Sequence, residues 1–168
     1  IKKGISKIEK DKKINNFSEL INIIVSGSAD KTYNYFISAK DTFLLKKVKS
    51  GFACILDGDM RNIKNSKGSL TYPSQDNLHF LFSSECPEKF LTRAYLEEHP
   101  NVTIEYYLEN ENSHYLLKAI VDNSDFNDTN EVFDYCWSLL IKTEKGKLYF
   151  DSLTKFLIDI AKKYSPEL

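Results

Sequence analysis

The chain has 168 residues, 42% hydrophobic and 28% charged, which suits one domain with a full core. Its net charge of −1 gives it no global basic field of the kind that draws a protein to nucleic acid, so any such contact needs a local patch or a partner. Cys54, Cys86 and Cys136 have neither zinc-site spacing nor the pairing of a disulfide framework, and they point to a reducing cytoplasm. No apolar run approaches membrane-spanning length, and residues 1–19 lack a signal-peptide core. The chain opens on Ile1 rather than methionine, so a fragment of a longer chain, or a chain whose beginning is missing, is expected.

Residues 1–13 are strongly basic, and Ile1, Ile5 and Ile8 recur near helical spacing, which predicts a surface helix. Residues 20–25, Leu-Ile-Asn-Ile-Ile-Val, predict a strand from their β-branched content. Ser26 to Lys31 then form a tight turn in which Ser28 or Asp30 caps a helix over residues 31–40. That turn lacks the glycine pattern of a Walker A loop or a dinucleotide fingerprint. Residues 40–49 continue or repeat helix, and Ser50-Gly51 breaks it. The order strand, helix, strand predicts a parallel pair with a crossover connection.

Residues 52–56, Phe-Ala-Cys-Ile-Leu, run straight into Asp57-Gly58-Asp59. A short apolar run fits a strand buried on both faces of a parallel sheet. The carboxylates then stand at the strand's carboxyl end, where open α/β sheets bind their ligands. Two carboxylates hinged by a glycine can share a hard divalent cation; an ordinary polar turn accounts for the same residues. A polar loop follows over residues 61–73, in which Arg61 and Lys64 meet a phosphate beside a metal or are simply solvated. Residues 78–82 predict another strand, with His79 inside it as a structural histidine. Ser84 and Pro87 open a helix in which Glu88 either stabilises the first turn or serves as a metal ligand.

His99-Pro100-Asn101 ends that helix. Residues 102–108 alternate like a strand, and residues 115–121 fit a short helix or strand. Asp122, Asp125 and Asp128 miss the EF-hand pattern and read as a solvated loop. Residues 131–142 predict a helix with Val132, Phe133, Cys136, Trp137, Leu140 and Ile141 on its core face. Residues 144–147 read as a turn, and residues 148–164 as a final amphipathic helix. There is no internal repeat or flexible linker, so one domain over residues 1–168 is expected.

In its order of pieces the chain resembles a Toprim domain, the metal-binding module of topoisomerases, DnaG-type primases and OLD-family (overcoming lysogenization defect) nucleases. The last group is the most similar. Residues 22–31, NIIVSGSADK, resemble the second strand and its glycine turn. Residues 52–61, FACILDGDMR, resemble the Asp-x-Asp strand, and residues 86–91, CPEKFL, the later acidic helix start. Residues 145–164, KGKLYFDSLTKFLIDIAKKY, resemble the lysine-bearing turn and closing helix. The resemblance implies an α/β fold with a mainly parallel central sheet and helices on both faces. It implies Mg²⁺ or Mn²⁺ bound by Asp57 and Asp59, with Glu88 aiding that ion or a second. Lys147, or less favourably Lys145, would stabilise charge on the phosphate. The implied activity is hydrolysis of DNA, or of RNA, beside an ATPase partner or domain, in phage defence or DNA repair, without a membrane.

One departure stands out. The family's first motif is a glutamate followed by glycine, and the similar place here is Lys3-Gly4, with lysine where the acid belongs. Either the chain starts after that motif or the motif has decayed, so a catalytically degenerate Toprim-like scaffold is an alternative. A second is a HAD-like phosphohydrolase with Asp57 as nucleophile. Such enzymes carry threonine or valine where this chain has Arg61.

Overall fold

The computed structural model describes residues 1–11, 14, 16–41, 52–110 and 113–164. They are mostly helical, with one small parallel sheet, and form two compact units. The first comprises residues 1–82 and 150–168, the second residues 83–149.

The first unit begins with α1, Lys2–Lys10, the expected basic helix, followed by a short α2, Phe17–Leu20. Ile5, Ile8 and Phe17 are buried, and each such side chain contributes about 1.5–3 kcal/mol by leaving water. The Glu9 carboxylate joins α1 to α2, accepting from the Ser18 backbone N–H at 2.8 Å and the Ser18 hydroxyl at 2.7 Å. Gly4 lies against Leu153, whose Cδ2 would stand 3.0 Å from an added Cβ. The expected strand over residues 20–25 is absent among the described residues: Leu20 ends α2, residues 21–25 form no regular element, and Ile24 and Val25 are exposed. β-branched residues on an exposed segment have nothing to pack against, and β-propensity is chiefly packing.

Helix α3, Ala29–Asp41, follows the turn at Gly27, whose φ is +92°. Ser28 caps it as expected, its Oγ accepting from the Lys31 N–H at 3.4 Å. The helix expected over residues 42–49 and the break at Ser50-Gly51 lie outside the described residues. Strand β1, Cys54–Leu56, pairs in parallel with β2, Leu78–Phe80, placing Cys54 opposite Leu78 and Leu56 opposite Phe80. Phe36, Cys54, Leu56 and Tyr72 form the core beneath the sheet. The connection from β1 to β2 runs through a 3-10 turn, Gly58–Asn62, and an antiparallel bridge between Lys64 and Leu70.

Asn77 leads into β2 in the left-handed region, at φ +66°. Its carbonyl accepts from the Cys54 N–H at 2.8 Å, and its amide donates to the Phe52 carbonyl at 2.8 Å. The same side chain bonds the Tyr164 hydroxyl and accepts from Lys163 Nζ at 2.9 Å.

The second unit is helical. Helix α4, Pro87–Glu98, starts on Pro87 as expected, although Cys86 rather than Ser84 takes the N-cap position. Residues 102–108, expected as a strand, lie in helix α5, Val102–Asn110. The Asn101 carboxamide caps it, accepting from the N–H groups of Thr103 at 3.0 Å and Ile104 at 3.2 Å. Ile104 and Leu108 are then buried one helical turn apart. Helix α6, Leu116–Asp122, settles the choice left open over residues 115–121. Asp128, expected in a solvated loop, caps α7, Thr129–Leu140, by accepting from Asn130 and Glu131 N–H at 2.8 and 2.9 Å. Leu91, Ala94, Ile104, Ile120, Val132 and Cys136 fill the unit's core.

Helix α8, Glu144–Tyr164, absorbs residues 144–147, which the glycine marked as a turn. The glycine serves a close approach instead: a Cβ on Gly146 would stand 1.8 Å from the Leu140 carbonyl oxygen.

Candidate functional site

Asp57 and Asp59 follow β1 directly. Asp57 is exposed in extended backbone, at φ −62° and ψ 150°, and its carbonyl accepts from the Met60 N–H at 3.1 Å. That bond turns the chain at once into the 3-10 segment, so half-buried Asp59 sits within one turn of the strand end. The Asp59 Oδ1 is buried and accepts no hydrogen bond, while the residue has other interactions. Both acids thus lie just past the carboxyl end of a strand in a parallel pair, as expected from the apolar run before them.

Arg61 spans to the carboxyl end of β2. Its Nη2 donates to the Leu81 carbonyl at 3.1 Å and to the Phe80 carbonyl at 3.4 Å, and the guanidinium lies 5.8 Å from the centre of the Phe80 ring. It places a permanent positive charge beside this strand end. His79 stacks on Phe156 with ring centres 4.6 Å apart. Burial, reinforced by the charge of Arg61, holds its imidazole below the ordinary histidine value.

Glu88 and Lys147 belong to the second unit. Glu88 is half-buried in the first turn of α4, where its carbonyl accepts from the Thr92 hydroxyl at 2.8 Å. Lys147 is exposed and donates to Glu144 Oε1 at 2.6 Å, one turn earlier on its own helix. Glu85 is gripped by Arg93, whose Nε and Nη2 donate to its carboxylate at 2.8 and 2.6 Å. The hydrogen-bonded guanidinium holds the Glu85 carboxyl below the usual range, and Lys89 and Lys145 add to the effect. Sequence reasoning missed this ion pair and Asn77; an Asn just before a strand was the available signal for a left-handed turn.

Among the described residues no group of three or more His, Cys, Asp or Glu side chains converges as a metal cage would. Two carboxylates are as many as Mg²⁺ commonly takes from a protein, its remaining positions being filled with water and substrate oxygens. The buried Oδ1 of Asp59, a hard anionic donor, is suited to such an ion. Among the described residues no helix is long and apolar enough to cross a membrane. Comparisons with protein-family models, with curated proteins and with solved structures return no match for the chain.

Proposed function

We propose that this chain is a Toprim-type, metal-dependent nuclease module that hydrolyses phosphodiester bonds of DNA, or less favourably RNA. The observation that carries the reading is the position of Asp57 and Asp59 immediately past the carboxyl end of β1 in a parallel pair. These two carboxylates would hold Mg²⁺ or Mn²⁺, which when bound supplies an activated water and neutralises charge on the phosphate. Asp57 is exposed and so open to a substrate, while Asp59 is held within the 3-10 turn. Arg61 offers a fixed positive charge to a phosphate oxygen. In the larger reading β1 and β2 belong to a Rossmann-like, mainly parallel sheet, and the module works in the cytoplasm with an ATPase partner or by self-association.

One observation favours a second reading, the degenerate scaffold. Lys3-Gly4, the place most similar to the missing glutamate motif, lies inside α1, where Gly4 packs on Leu153 and so serves helix packing. The test is Mg²⁺- or Mn²⁺-dependent cleavage of plasmid, single-stranded DNA and RNA, with and without an ATPase. Asp57→Ala and Asp59→Ala are each expected to lose about 10²-fold or more. Cleavage surviving Asp57→Ala sinks the site, and no cleavage under any condition favours the scaffold. A trapped phosphoaspartate at Asp57 would support the HAD-like alternative instead.

A further inference from the structure

We propose that the β-hairpin of residues 63–71 is a docking element for the phosphate backbone of duplex DNA, beside the strand end that carries Asp57 and Asp59. The inference rests on the nuclease reading for its choice of ligand. The hairpin leaves the 3-10 turn directly and is hydrogen-bonded along its arms and at its tip. The Thr71 N–H donates to the Ile63 carbonyl at 2.8 Å, and the Asn65 N–H donates to the Ser69 carbonyl at 2.8 Å. At the tip the Asn65 side-chain oxygen accepts from the N–H groups of Lys67 at 3.0 Å and Ser69 at 3.2 Å. Gly68 closes the turn at φ +78°, where a side chain would be strained. Every residue from Arg61 to Leu70 is exposed. A short, exposed hairpin closed by a single antiparallel bridge between Lys64 and Leu70 can lie against the phosphate backbone at the edge of a groove.

The charge is one-sided. Between Asp59 and Asp76 the chain carries Arg61, Lys64 and Lys67 and no acidic residue, although the whole protein has net charge −1. Arg61 is held on the carbonyls at the end of β2. Among the described residues Lys64 and Lys67 form no ion pair. Lysines also keep exposed strands from pairing edge to edge, but that purpose is met by either sign of charge and does not exclude acids from the whole segment. Phosphate contact requires the exclusion, because a carboxylate on the ribbon would repel the backbone.

The test is fluorescence anisotropy of a labelled DNA duplex in EDTA, so that nothing is cleaved, titrated with salt. Lys64→Ala/Lys67→Ala is expected to weaken binding about tenfold or more at 0.1 M salt and to reduce the slope of log affinity against log salt by about 1–2. Lys155→Ala/Lys162→Ala, which removes the same charge from exposed positions of α8, is expected to stay within about twofold of wild type. Circular dichroism melts establish that both variants are folded. The proposal is overturned by an absence of binding in the wild type, by an unchanged affinity and slope in the hairpin variant, or by equal losses in the two double variants. Asp57→Ala separates it from the nuclease reading. Metal-dependent cleavage abolished by Asp57→Ala, with normal binding by the hairpin variant, sinks the docking element alone. Hairpin-dependent binding without any cleavage sustains the docking element and sinks the nuclease.

Discussion

Gly146→Ala is the sharpest structural prediction, because its sign is opposite to the ordinary expectation. In an exposed first turn, alanine for glycine favours a helix by up to about 1 kcal/mol. Here the new methyl would stand 1.8 Å from the Leu140 oxygen and 2.6 Å from its carbon, both backbone atoms. Relief needs a backbone shift of about 1 Å where α7 meets α8, and overpacking of this kind costs about 1–3 kcal/mol. The shift also strains the Leu140 carbonyl, which accepts from the Thr143 N–H at 3.0 Å and its hydroxyl at 2.8 Å, bonds of about 1 kcal/mol each. Setting these losses against the helix gain leaves about 3 kcal/mol of net destabilisation, a fall in Tm of roughly 6–12 °C for a chain of this size. Thermal melting by circular dichroism reads it, with exposed Lys147→Ala as a control expected to cost under about 0.5 kcal/mol. A Gly146→Ala protein that melts at or above the wild-type temperature would refute the close approach and the reasoning built on it.

Two further predictions concern titration and reactivity. His79 has a folded pKa held below its unfolded value by burial and by Arg61, so the unfolded chain binds the proton more readily. Its contribution to stability is whole above about pH 6.5 and is lost as pH falls below that value; urea midpoints at pH 7.5 and 5.5 should differ less in His79→Gln than in wild type. Burial pushes the Cys54 thiol up to about 11 and the Cys136 thiol up to about 12. At pH 8 both should resist a thiol reagent while half-buried Cys86 reacts, and all three should react in urea; rapid labelling of Cys136 in the folded protein would contradict its place in the core.

Helices with a full apolar face were legible in the sequence. Ile5 and Ile8 in α1, and Val132, Cys136 and Leu140 in α7, repeat at helical spacing and are buried as that spacing requires. Residues 102–108 misled because Val, Ile and Tyr favour strands, while the deciding signal lay one residue earlier in the Asn101 cap. The run at residues 20–25 misled for the converse reason: its composition suits a sheet, but burial depends on partners far along the chain. Gly146 announced a constraint but not its kind, since a turn glycine and a close-contact glycine look identical in sequence. The position of Asp57 and Asp59 just past a strand was legible because the apolar run before them marks a strand end without reference to anything distant. The grip of Arg93 on Glu85, eight residues away, and the anchoring of Arg61 on carbonyls near residue 80 depend on tertiary approach and left no local trace.

Asn77 has a consequence for the order of folding. Its side chain ties the entry of β1, the entry of β2 and the far end of α8, partners 25 to 87 residues distant in the chain. The first unit is assembled from two separated stretches, whereas the second is one unbroken stretch of the chain. Loop closure over such distances is slow relative to local helix pairing. During synthesis the second unit can therefore condense while the first still waits for residues 150–164. The sheet that carries Asp57 and Asp59 gains its last anchor only when Lys163 and Tyr164 have reached Asn77, which makes the candidate site a late product of folding.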